Sequence, residues 1–192
     1  VWGELVPEAL GAPIAYAIRA RVVLLRDLGS AISPTNSFHI IQGLETLPLR
    51  FRIHQENTEK VANFLSSRSE VSKVIYPGFH KHTEDINRTK KYLQNGNGPL
   101  VGFELKGGRD AGQQFINNLK LIYHVANIGD VRTLAIHPAS TTHSQLSVED
   151  QLKTGVTPGY VRLAVGIEHI DDILEDLTQA IENIELQTTK VA

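Results

Sequence analysis

Two residues stand where a binding chemistry could be built. Arg162 lies in the run Tyr-Val-Arg-Leu-Ala-Val (160–165), where strand alternation puts Val161, Leu163 and Val165 on one face and Arg162 with Ala164 on the other. A guanidinium on an otherwise apolar strand, beside a small residue that leaves space, suits a bidentate grip on a carboxylate. An ion pair with a neighbouring Asp or Glu would explain the same residue equally well. Asn127 is the second candidate: it ends a strand, and Gly129 frees the chain to turn just after it. Its amide and the N–H groups of that turn could complete the same carboxylate site, although Asn127 and Asp130 read alone simply cap a turn.

The eight histidines offer less. His80 and His82, in Phe-His-Lys-His-Thr-Glu-Asp, could grip a metal from exposed chain, but a solvated loop is the simpler reading. His137 and His143 flank Pro-Ala-Ser-Thr-Thr, a spacing that matches no common metal motif, and Pro138 precludes a regular helix there. They read as hydrogen-bonding groups that tie down a loop. With no cysteine, thiolate catalysis, disulfides and cysteine-ligated metals are excluded together. A nucleophile elbow, a phosphate-binding Gly-rich loop and a dinucleotide fingerprint are absent as well. No metal site and no self-evident catalytic engine are therefore expected.

The elements that must position Arg162 and Asn127 follow from periodicity. Ile14, Ile18, Val22, Leu25 and Leu28 fall near helical spacing, with Gly29 as a stop. Ser33-Pro34 reads as an N-cap and first helical position, opening a helix to about Leu65 that Pro48 should bend. Beyond it, strands alternate with helices. Strands are expected at 71–78, 99–108, 121–128 and 159–168, and helices at 84–94, 110–120, 147–155 and 170–184. Residues 1–11 read as irregular and the last eight as polar and frayed. Short strands with one-faced amphipathic helices suggest an α+β domain, a mostly antiparallel four-stranded sheet with helices on one side.

Composition sets the outer limits. At 192 residues and 41% hydrophobic the chain can bury a sizeable core. Its formal net charge of -2 with interspersed signs suggests neither nucleic acid nor an anionic membrane surface as partner. No apolar run is long enough to span a bilayer and no signal-peptide pattern opens the chain, so a soluble cytoplasmic protein is expected. The sequence has no methionine and begins Val-Trp-Gly-Glu-Leu, which leads us to expect part of a longer protein.

Three long stretches, in order, carry a resemblance: RARVVLLRDLGSAISPTNSFHIIQGLETLPLR, ANIGDVRTLAIHPASTTHSQLS and GVTPGYVRLAVGIEHIDDILEDL. Together they resemble the carboxy-terminal half of the Cys/Met-metabolism family of pyridoxal-phosphate (PLP) enzymes, from Trp2 to about Ile184. HPASTTH is shared across that family. ANIGD and GLETLPLR are more similar to its sulfhydrylase branch than to the cystathionine-handling branches, which more often have Ser in place of Asn127.

The resemblance implies a fold-type I α/β enzyme with a large cofactor domain and a small carboxy-terminal domain. Residues 1–50 would be the terminal helices of the large domain and the start of a linking helix, and residues 51–192 the small domain. The implied reaction is a γ-replacement of methionine biosynthesis, turning O-acetyl-L-homoserine and sulfide into L-homocysteine and acetate. Arg162 matches the family arginine that binds the substrate α-carboxylate, and Asn127 a position in the same pocket. The imine-forming lysine, the aromatic that stacks on PLP, the aspartate at its pyridine nitrogen and its phosphate loop would all lie upstream. The chain would then hold substrate-binding residues but no catalytic or cofactor-binding ones, and would be inactive alone. The resemblance also implies the amino-terminal half as a partner and assembly into homotetramers. Cystathionine γ-synthase or methionine γ-lyase chemistry, or a non-catalytic carboxylate-binding module, are the alternatives.

Overall fold

The computed structural model describes residues 14–185; the first eleven residues, expected to be irregular, and most of the expected polar tail lie outside that range. The chain divides into two compact units between Leu47 and Pro48.

In the first unit, helix α1 runs as an α-helical Ala15–Arg19, a π-helical Ala20–Leu25 and a last α-turn Arg26–Leu28, ending at Gly29. Helix α2, Pro34–Glu45, starts as its sequence suggests: the Ser33 hydroxyl accepts the Asn36 N–H at 3.1 Å, and Pro34 fills the first turn, where its missing donor costs nothing. Neither the π-helical part of α1 nor any part of α2 buries a residue. Leu28, Ile32, Phe38, Ile40, Ile41 and Leu44 are all exposed.

The single bent helix expected from Ser33 to Leu65 is two helices. Thr46 interrupts the run, and α3, Leu47–Ser67, begins anew. Pro48 thus stands in the first turn of a fresh helix, a position that needs no backbone donor, instead of deforming the middle of a long one.

The second unit is built on a sheet. Its strands are β1 (Val71–Ile75), β2 (Leu100–Leu105), β3 (Tyr123–His124), β4 (Leu134–Ile136) and β5 (Tyr160–Ala164), in the spatial order β1-β2-β5-β4-β3. All neighbours are antiparallel except β3 and β4. The mostly antiparallel sheet is as expected, but it has five strands and not four. The expected third strand at 121–128 shrinks to the two residues of β3, and β4 was not foreseen. Three residues are too few to display an alternation, and β4 is buried throughout, so it has no polar beat to reveal it.

Helices α4 (Thr83–Tyr92), α5 (Gly108–Asn118), α6 (Val148–Lys153) and α7 (Ile170–Glu182) complete the unit. Register fixes which side of the sheet they can use. Val101 pairs with Leu163, Phe103 with Val161, and Ala135 with Leu163, so these residues share one face. That face forms the core with Val61, Ala62 and Leu65 of α3, Ala111, Phe115 and Ile116 of α5, and Ile173, Leu177, Ala180 and Ile181 of α7. Phe103 and Phe115 meet edge to face at 5.4 Å. The helices that build the core therefore lie on one side, and Arg162, one residue out of phase, is turned to the other.

Candidate functional site

Arg162 sits at the centre of the sheet's second face. Its strand neighbours across the ladder are Gly102 of β2 and Ile136 of β4, and on the same face lie Leu100, Leu134 and Ala164. Gly102 leaves its side-chain space to the ring of Tyr160: a Cβ there would lie 2.6 Å from the ring. Burial raises the Tyr160 phenol above its ordinary range, while the nearby Arg162 charge opposes that shift.

The guanidinium is only partly used. Its Nη2 donates to the backbone carbonyl of Asn127 at 3.4 Å, and its Nε is buried with no hydrogen-bond partner. Among the described residues no carboxylate lies within ion-pair distance of it. An unsatisfied charged donor of this kind costs stability unless something outside the described chain accepts it. The structure thus brings the two residues singled out in the sequence together, through the main chain of Asn127. The Asn127 side chain is exposed, and its Oδ1 accepts the Ile128 N–H at 2.9 Å, shaping the turn.

The loop carrying Asn127 connects two parallel strands, and it is held at several points. Gly129 takes φ of 82°. Asp130 Oδ1 accepts both the backbone N–H and the Nε of Arg132 at 3.0 Å each, and Oδ2 accepts Nη2 at 3.0 Å. The same guanidinium lies 4.6 Å from the centre of the Tyr123 ring. These bonds from the Arg132 side chain, then from its N–H, hold the Asp130 carboxyl down at about 2. Farther on, Ile167 N donates to Val131 O, and Glu168 accepts both the N–H and the hydroxyl of Thr133 at 2.6 and 2.8 Å.

The Pro-Ala-Ser-Thr-Thr stretch is scaffold. His137 is fully buried; its Nε2 lies 2.7 Å from the Pro158 carbonyl and its Nδ1 2.8 Å from the Ser140 hydroxyl. A carbonyl only accepts, so Nε2 carries the proton and Nδ1 accepts from Ser140. Burial lowers the His137 pKa, which keeps the ring neutral at neutral pH. Thr141 donates its hydroxyl to His137 O, and the buried Gln151 amide reaches the carbonyls of His143 and Leu146. Among the other histidines, His143 meets the Thr142 hydroxyl, His80 meets Thr89, and His82 stands exposed before α4.

Sequence reasoning missed three residues that matter to this unit. Gly112 of α5 lets the helix press against His137: a Cβ there would be 2.5 Å from the imidazole. Asp176 of α7, almost fully buried, accepts the backbone N–H groups of Lys120, Leu121 and Ile122, each at 2.9 Å, and so anchors the approach to β3. Arg132 holds Asp130 through its side chain and its backbone N–H. No spacing announces Gly112 or Asp176, whereas the Gly-Asp-Val-Arg run does offer a close opposite-charge pair.

The described residues hold no group of three His, Asp or Glu side chains arranged for a metal ion, and no helix among them is long and apolar enough to cross a membrane. Every described lysine is exposed.

Comparison with known proteins places the chain. The family model for "Cys/Met metabolism PLP-dependent enzyme" matches residues 12–182. The chain is 51% identical over 185 residues to an O-acetyl-L-homoserine sulfhydrylase of Leptospira meyeri, covering 96% of this chain and 41% of that protein. It is 47% identical over 179 residues to O-acetyl-L-homoserine sulfhydrylase 1 of Thermus thermophilus, covering 93% of this chain and 42% of the other. A solved structure described as an O-acetylhomoserine (thiol)-lyase of Campylobacter jejuni, bearing a pyridoxyl-lysine phosphate, superposes with a TM-score of 0.78 at 43% identity, covering 91% of this chain and 41% of that one. The chain thus spans about two fifths of the length of these relatives. Its sequence, its sheet with helices on one side and this superposition agree: the chain belongs to the Cys/Met metabolism family of PLP-dependent enzymes.

Proposed function

We propose that this chain is the carboxy-terminal part of an enzyme that makes L-homocysteine and acetate from O-acetyl-L-homoserine and sulfide, and that it supplies the site for the substrate's α-carboxylate. The reaction is a γ-replacement: the Cγ–O bond of the ester breaks, acetate leaves with the electron pair, and a Cγ–S bond forms. PLP, when bound, supplies the electron sink that makes the protons on Cα and Cβ acidic. The similarity to two O-acetyl-L-homoserine sulfhydrylases supports the choice of substrates. The observation that carries the binding role is the buried, unpartnered Nε of Arg162 beside Asn127.

Arg162 does its part by geometry and charge. A carboxylate accepting from Nε and one Nη satisfies the orphaned donor and is held in a plane by two parallel bonds. Fixing that end of an amino acid restricts rotation about its Cα, which orients the Cα–H bond for removal. The Asn127 carbonyl, on Nη2, limits how far the guanidinium swings.

The test is kinetic. In the full-length, PLP-loaded enzyme, Arg162→Ala is expected to lower kcat/KM for O-acetyl-L-homoserine by about thirtyfold to a few thousandfold, corresponding to roughly 2–5 kcal/mol for removing one partner of a buried charge pair. Unchanged kinetics would remove Arg162 from the site. Competing sulfide against cysteine as nucleophile tests the reaction itself, and a clear preference for cysteine would assign the enzyme to the cystathionine-forming branch.

A further inference from the structure

The Asp130–Arg132–Tyr123 cluster touches none of the groups assigned above, yet it has more bonds than a surface turn requires. Asp130 clamps Arg132 by a fork of two side-chain bonds and accepts its backbone N–H as well, each at 3.0 Å. Arg132 in turn lies over the ring of Tyr123, a residue of the edge strand β3. The clamp closes the loop that begins at Asn127, only two residues beyond Ile128, whose N–H is already bound to the Asn127 side chain. Arg162 meets this loop at the Asn127 carbonyl, through a long bond of 3.4 Å. That carbonyl belongs to the loop, three residues before the clamped Asp130, and not to β5.

We propose that Asp130, Arg132 and Tyr123 form a positioning staple for the carboxylate site: they fix the Asn127 carbonyl, and that carbonyl fixes the guanidinium of Arg162 with its Nε free. The inference rests on the carboxylate-binding reading of Arg162. Asp130, Arg132 and Tyr123 are positioning residues, acting on substrate only through Asn127 and Arg162. The staple explains why a well-bonded ion pair occupies a loop that contributes almost nothing to the core. It also makes specificity for an α-carboxylate a property of two segments brought together, the loop at 127–132 and the strand at 160–164.

Two measurements test it. In the full-length, PLP-loaded enzyme, Asp130→Asn and Arg132→Ala are expected to raise KM for O-acetyl-L-homoserine about tenfold while kcat changes by less than about twofold, with Arg132→Lys intermediate because it keeps the charge but loses the fork. A fall in kcat with KM unchanged, or no change in either, would overturn the staple. Combined with Arg162→Ala, Asp130→Asn is expected to add little further loss, and an additive effect would also overturn it. In the 192-residue chain itself, without cofactor, the Nε–H resonance of Arg162 is expected to move on Asp130→Asn; an unmoved resonance means the staple does not reach the guanidinium. If Arg162→Ala leaves KM alone, the carboxylate reading fails; if only the staple variants leave KM alone, that reading stands and the staple fails.

Discussion

Asp176, a carboxylate of α7, holds the chain where it enters β3. It accepts three consecutive backbone N–H groups at the entrance to β3, in surroundings nearly closed to water. Removing that acceptor strands all three donors. Asp176→Ala is expected to lower the unfolding free energy by about 3 kcal/mol or more in urea titration, and Asp176→Asn by less, since one acceptor oxygen remains. Gly112→Ala tests the close approach of α5 to His137. With a new methyl 2.5 Å from the imidazole, a loss of about 1–3 kcal/mol is expected, measured in the same way. These two residues could not be read from sequence, because their importance lies in contacts with segments far along the chain. Arg162 could be read, because a strand's period of two needs only its own five letters. Asn127 was half legible: its place beside the Gly129 turn was foreseen, but the strand it was expected to end stops at His124, and its carbonyl, not its amide, is the atom that meets Arg162.

Among the elements, the knot from His137 to Ser144 has the most particular chemistry. The His137 pKa lies below its ordinary 6.5 because burial penalises the cation. The unfolded chain therefore takes up the proton first, so this contribution to stability is complete above about pH 6.5 and is lost as pH falls toward the depressed folded value. A lower urea midpoint at about pH 5.5 than at about pH 8 is expected, and His137→Gln should flatten that part of the slope. The same stretch shows why elements differ in legibility. Helix α7 was foreseen from its first residue to within two of its last, since apolar side chains repeat along its one stripe. Strand β4 was hidden, being three buried residues stopped by Pro138. An interruption was expected at Pro48 as a bend and occurs at Thr46 as a restart, because a proline signals an interruption without saying whether the helix bends or begins anew just before it.

At the scale of the whole molecule, the contrast between the two units matters most. The second has a closed core, whereas α1, α2 and the link between them present Leu28 at 73%, Ile32 at 59%, Phe38 at 57% and Leu44 at 56% exposure. Apolar side chains presented to solvent in this number make a surface prone to association. The 192-residue chain alone is accordingly expected to bind a hydrophobic dye and to associate as its concentration rises in sedimentation experiments, and Leu28→Asp with Phe38→Asp should reduce both. A chain that stays monomeric and dye-free would leave those helices without need of a partner.

The sheet order carries one more consequence. Strand β5 comes last in the chain yet lies in the middle of the sheet, between β2 and β4. Until it arrives, β1 with β2 and β3 with β4 are two separate ribbons, each with an open inner edge. The core cannot close before β5 and the α7 residues that follow it are free, so its completion depends on long-range contacts made late in the chain. The strand that locks the ribbons together is the one bearing Arg162. The guanidinium takes up its place in the same event that makes the domain stable, so there is no folded form of the sheet in which it is still missing.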